Sequence, residues 1–131
     1  MKKSPIKKRK KSDKKKKQDR CDALWSELVK RYAGHKCEMC GKTQYLNSHH
    51  IFSRSNFSVR WDTSNGVCLC SGHHVLCNDS AHKAPADFVE WVKKYRGEDW
   101  YEDLRVKAKD IWHGDIDTVM ECLKEMEKCS Q

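Results

Sequence analysis

The chain has 131 residues, room for one domain with a small core plus appendages, which excludes a TIM barrel or a two-domain enzyme. Its formal net charge is +8, yet residues 1–20 alone hold twelve Lys/Arg against Asp13 and Asp19, a net of +10, so the other 111 residues sum to −2. The basic character therefore sits in a tail on a near-neutral body and forms an electrostatic handle for a polyanion.

No stretch approaches ~18 consecutive apolar residues, and the N-terminal Lys clusters have no apolar run behind them, so neither membrane insertion nor Sec export is expected. Eight cysteines would suit a disulfide scaffold in a secreted protein, but without an export signal the expected compartment is the reducing cytoplasm, where thiolates favour metal. Five of the eight Cys (Cys37, Cys40, Cys68, Cys70, Cys77) and five of the seven His (His49, His50, His73, His74, His82) fall between positions 37 and 82.

Residues 1–19 are low in complexity, like-charged and nearly without apolar groups, and are expected to be disordered. Their Lys7, Lys8, Arg9, Lys10 and Lys11 are the candidate DNA-binding cations. From about Arg20 to Ala33, Leu24, Leu28, Val29 and Tyr32 recur at helical spacing, with Gly34 as the stop. Thr43–Phe52 and Gly66–Cys70 read as two short strands, the second after an Asn65-Gly66 turn signal, with a polar loop at 53–63 between them. Pro85 opens a helix carrying Phe88, Trp91, Val92 and Tyr95 up to Gly97. Trp100, Leu104, Ala108 and Ile111 continue as another helix towards Gly114. A last helix is expected from a capping box, Thr118 with Glu121, burying Val119, Leu123 and Met126. Residues 86–131 carry a net charge of −4, so their aromatic stripe reads as packing rather than as a DNA grip.

Cys37-Glu-Met-Cys40-Gly41 is a metal knuckle supplying two of four tetrahedral ligands. The second pair is expected from Cys70-Ser-Gly-His73, which has the same spacing and a Gly inside the turn, giving a Cys3His zinc set. Cys68 lies two residues from Cys70, on the same strand face, but cannot form that turn and is assigned to the core; Cys77 is the reserve ligand. A redox CxxC is the alternative for the first knuckle, although no βαβ context surrounds it. Cys21, Cys122 and Cys129 fall in helical patterns and read as plain thiols.

Around these knuckles, LNSHHIFSRS, WDTSNGVCLC and CSGHHVLCNDSAHKAP resemble the HNH endonucleases of ββα-metal fold over residues 37–91. More narrowly, the arrangement is similar to phage recombination nucleases of the NinG (Rap) type. The resemblance implies a small α+β domain over 20–131, with the core motif at 37–91 and a helical extension at 92–131. It also implies a metal-dependent endonuclease hydrolysing DNA phosphodiester bonds, acting on branched or recombination intermediates and resident in the host cytoplasm if phage-encoded. His50 is then the general base, and His49 with His74 and/or His82 ligates a divalent catalytic ion (Mg, Mn, Ni or Zn). Asn65 fixes the His50-bearing strand. Arg54 and Arg60, on the polar loop, can pair with phosphates or simply be solvated.

The chain departs from the family pattern at two points. The second knuckle has His73 where the family has Cys. His74 and His82 are eight apart, about 12 Å along an unbroken helix, so a loop at 77–80 must return His82 or only one of the two binds. The competing reading is a non-catalytic, zinc-stabilised nucleic-acid-binding module, which has no need of His49-His50; a thiol-redox protein is the third.

Overall fold

A computed structural model describes residues 2–129. The order of elements is α1 (Asp13–Tyr32), β1 (Leu46–His50), a short 3₁₀ turn (Thr63–Asn65), β2 (Gly66–Cys70), a π-helical turn (Gly72–Leu76), α2 (Pro85–Arg96), α3 (Glu98–Lys109) and α4 (Ile116–Cys129). The protein is thus α+β, with one two-stranded antiparallel sheet in which His49 faces Val67 and His50 faces Gly66. Among the described residues no helix is long and apolar enough to cross a membrane.

A two-stranded sheet is marginal alone and needs cover. β2 (GVCLC) is buried along its whole length, between two apolar clusters. Cys21, Leu24, Trp25, Leu28 and Val29 of α1 meet Trp61, Cys68 and Leu123 in the first. Val67, Leu69, Cys70, Cys37, Ala81, Phe88 and Val92 form the second. Cys68 is a core residue as expected, although it and Cys70 belong to different clusters. Gly66 is where α1 crosses closest to the strand: a Cβ there would overlap the Val29 and Trp25 side chains.

Four elements depart from the sequence reading. The first strand covers only Leu46–His50 of the expected Thr43–Phe52. α1 begins at Asp13, seven residues before Arg20, so 13–19 is helical rather than disordered. Ser12 caps it by accepting from the Lys15 N–H, and Asp19 accepts ion pairs from Lys11 (2.7 Å) and Lys15 (3.0 Å), relieving the like-charge repulsion that argued against a helix. Lys17 pairs with Asp117 of α4 at 2.8 Å. Tyr32 is not on the buried face but 57% exposed, and the stripe is completed instead by Cys21 and Trp25. α3 stops at Lys109, leaving Ile111 exposed. α4 starts at Ile116, where the Asp115 carboxylate accepts from the Asp117 N–H, so Thr118 lies inside the helix rather than at its cap.

The end of α1 at Gly34 and the opening of α2 at Pro85 agree with expectation. At the former, His35 N–H bonds to Lys30 C=O and Gly34 N–H to Arg31 C=O, a Schellman closure with Gly34 at φ +68°.

Candidate metal centres

The first centre is built from a loop and a strand end. The Cys37–Cys40 knuckle folds so that the Gly41 N–H bonds to the Cys37 carbonyl, with Gly41 at φ +76°. Cys70 ends β2, and the π-helical turn follows at once and turns His73 back. The ligand atoms of Cys37, Cys40, Cys70 and His73 lie within 4.8 Å of one another. Cys40 Sγ is 3.8 Å from Cys70 Sγ, and His73 Nδ1 is 3.3 Å from Cys70 Sγ and 3.7 Å from Cys37 Sγ. A tetrahedral zinc with the usual bond lengths requires S···S edges of about 3.8 Å and S···N edges of about 3.5 Å. Those three edges match the ones a bound zinc would require.

The electrostatics agree. Burial opposes a charged Cys37, but backbone N–H groups of Cys70, Cys40 and Met39 together with His73 outweigh it and hold this thiol down to about 6. For Cys40 the Lys42 N–H favours the thiolate, while desolvation and the neighbouring Cys37 and Cys70 push its pKa up. Three thiolates this close repel one another, and a cation removes that repulsion. Cys77 is exposed and outside the cluster. Cys68 is raised by burial to about 11, a core thiol rather than a ligand.

Sequence reasoning missed Glu38, inside the knuckle. Its carboxylate accepts from the Cys68 N–H at 2.7 Å and from Arg96 at 2.9 Å, while Arg96 also donates to the Gly66 carbonyl. One side chain thereby ties the knuckle to β2 and to the end of α2. Its only signal in the sequence was a carboxylate between two metal-type cysteines.

The second centre faces a groove of about 520 Å³ whose lining includes His49, His50, Arg54, His74 and His82 and, among the described residues, no carboxylate. Ligand nitrogens of His49, His74 and His82 lie within 4.8 Å of one another, with His74 Nε2 and His82 Nε2 at 3.0 Å. The eight-residue gap is closed because 72–76 is π-helical and the chain then doubles back, the N–H groups of Ala81 and His82 bonding to the carbonyls of His73 and His74. Phe88 of α2 packs edge-on against His49. Burial, then the neighbouring imidazoles, pushes His49 down to about 3, and burial also lowers His74. Both are therefore neutral at pH 7, the form in which imidazole binds metal.

No family model, curated protein or solved structure matches this chain.

His50, next along β1, does not join the triad. Its ring stacks on Trp25 at 3.8 Å and 9°, and its Nε2 lies 2.9 Å from the Arg60 carbonyl. A carbonyl only accepts, so Nε2 carries the proton and Nδ1 is left as the basic nitrogen. Asn65 is fully buried. Its Oδ1 accepts from the Phe52 N–H at 2.7 Å, and its Nδ2 donates to the Phe52 and Val59 carbonyls, stapling the segment after β1 to the far end of the loop.

Arg60 departs from the expectation that it could reach phosphate or lie in solvent. It is buried, with Nε and Nη2 donating to the two oxygens of Asp22 at 3.0 and 2.7 Å. Arg54 is 60% exposed at the groove, 3.4 Å from Asp22, and stays available to an anion. Lys7, Lys8, Arg9 and Lys10 are exposed and Lys11 pairs with Asp19.

Proposed function

We propose that the protein is a metal-dependent HNH endonuclease of ββα-metal type that hydrolyses DNA phosphodiester bonds. The observation that carries this is the pair of adjacent imidazoles on β1 with different surroundings: His49 converges with His74 and His82, while His50 stands beside them with one nitrogen fixed and the other free. A module that only needed zinc to fold would be complete with the Cys3His set and would have no use for a second, all-imidazole set in an open groove.

His49, His74 and His82 would hold the catalytic ion, and three neutral nitrogen donors suit Zn or Ni better than Mn or Mg, which prefer oxygen ligands. A divalent ion bound there supplies positive charge to the scissile phosphate and its leaving oxygen. The remaining work belongs to the chain. His50 Nδ1 accepts the proton of the attacking water, and Arg54, which lines the groove, pairs with a phosphate oxygen. Asn65 keeps the backbone beyond His50 from shifting. The exposed lysines and arginines before α1 add sequence-independent affinity for the phosphate backbone. The order of β1, β2 and a His-bearing turn and the 37–91 resemblance support the same reading, and the narrower similarity to phage recombination nucleases makes branched intermediates the substrate to test.

The test is cleavage of duplex and branched DNA, side by side, with Mn, Ni, Zn or Mg added. His50→Ala should keep fold and DNA affinity while losing about 10²–10⁴-fold in rate, the usual worth of a general base. His49→Ala should instead recover part of its activity at high divalent concentration. Cleavage unaffected by either substitution would place the active site elsewhere or trace the activity to a contaminant, and no cleavage with any of the metals would leave the chain as a zinc-stabilised nucleic-acid-binding module.

A further inference from the structure

Asp22 carries no role in the chemistry above, yet it is the most heavily engaged carboxylate near the groove. It sits on α1, 28 positions before His50 in the chain. One oxygen accepts from Arg60 Nε (3.0 Å) and Trp61 Nε1 (2.9 Å), and the other from Arg60 Nη2 (2.7 Å) and, at 3.4 Å, from the exposed Arg54. The three donors from the consecutive residues Arg60 and Trp61 fix the backbone of that segment. One turn further along α1, Trp25 donates through Nε1 to the Asp62 carbonyl at 2.8 Å, gripping the same segment from its other side. The Arg60 carbonyl, held between these two anchors, accepts the His50 Nε2 proton, and Trp25 covers the face of the same ring. α1 thus supports His50 by two routes, through its hydrogen-bond partner and through its ring.

Resting on the nuclease reading, we infer that Asp22 is a positioning residue for His50: by clamping Arg60 and Trp61 it holds the Arg60 carbonyl where it fixes the protonated nitrogen and the plane of the imidazole. The Arg60 side chain is thereby committed to architecture rather than to phosphate. The clamp also accounts for a buried guanidinium beside a groove meant for an anion, where a free one would serve binding directly.

The experiment uses the full-length, zinc-loaded protein with ¹⁵N-labelled histidine, the His50 signals being assigned by difference from His50→Gln. In the wild type at neutral pH, His50 should show a proton on Nε2 in slow exchange with water and an unprotonated Nδ1. In Asp22→Asn the Nε2 proton should exchange with water and both tautomers should be populated. Its single-turnover cleavage rate at saturating DNA should fall by up to about 10²-fold, the cost of misplacing a reacting group, while metal affinity stays as in wild type. Leu104→Ala, a core truncation in α3 remote from the groove, controls for lost stability and should leave the tautomer alone. A wild-type His50 protonated on Nδ1 overturns the inference whether or not any variant folds. So does an Asp22→Asn protein that keeps both the protected Nε2 proton and the wild-type rate. Wild-type protein that cleaves no DNA fails the nuclease reading alone, since the spectra still decide the clamp.

Discussion

His49 and His50 are neighbours in sequence and differ in everything that bears on chemistry. One turns towards two other imidazoles, while the other is stacked on an indole with its Nε2 occupied. Alternation along a strand makes that difference legible in the order of residues alone, as does the two-residue spacing in Cys37–Cys40 and Cys70–His73. Arg60 was not legible, because the partner that decides its fate lies 38 positions away on another element. The same pair sets an acid limit. Burial opposes the charge on Asp22, but hydrogen bonds and charge from Arg60 outweigh it and hold its carboxyl below the ordinary 3.8. A carboxyl with a depressed folded-state pKa binds fewer protons folded than unfolded. Its stabilisation is present above about pH 4 and is lost as pH falls through the folded value. Wild-type melting temperature should therefore fall between pH 4 and pH 2 by more than that of Asp22→Asn, which at pH 7 should already be about 1–3 kcal/mol less stable for leaving Arg60 without its counter-charge. Parallel melting curves across that range would show that the ion pair contributes nothing.

Elements whose signals are local came through the sequence well: β2 spans Gly66–Cys70 as read, and α2 opens at Pro85 and closes before Gly97. Elements set by pairing at a distance did not. The start of α1 was hidden in a lysine run whose neutralisation depends on Asp19 and on Asp117 of another helix, and the π-helical turn that returns His82 has no periodicity to betray it. The start of α1 can be probed by stability. Removing residues 1–11 should weaken DNA binding and flatten its salt dependence while leaving the melt unmoved. Removing 1–19 should additionally destabilise the fold, since it deletes the Ser12 cap, worth about 0.5–2 kcal/mol, and the Lys17–Asp117 pair. Identical melts for the two truncations would mean that the first turns of α1 carry no stability. At the crossing of α1 over β2, Gly66→Ala should shift the urea midpoint downwards by the cost of overpacking, about 1–3 kcal/mol, because the added methyl meets Val29 and Trp25. A midpoint equal to wild type would show that α1 can retreat freely.

Across the whole molecule the two candidate centres share one device. His73 belongs to the Cys3His set and His74 to the imidazole set, so the two ligands are adjacent residues of a single five-residue π-helical turn, Gly72–Leu76. That turn is held from the knuckle side by Cys70 and Cys37, whose sulfurs approach His73 Nδ1, and from the other by the Ala81 and His82 N–H groups bonding to its carbonyls. It has few apolar contacts of its own: none of its residues is buried. In a small core, free energy of zinc binding is free energy of folding, and here part of it would go into ordering the very segment that presents His74. Occupancy of the first centre should then raise metal affinity at the second, and by linkage the reverse must hold. Cys40→Ser is the probe, because Cys40 is the exposed cysteine of the Cys3His set, so that its replacement removes no buried side chain. Titrated calorimetrically with Ni, this variant should bind at the imidazole centre about 5–150-fold more weakly than wild type, the usual range of coupling between sites. Cys122→Ser, an exposed thiol on α4 outside both clusters, should bind as wild type does. Unchanged affinity in a folded Cys40→Ser protein that has lost its zinc would show that the turn is rigid without it and that the two centres act independently.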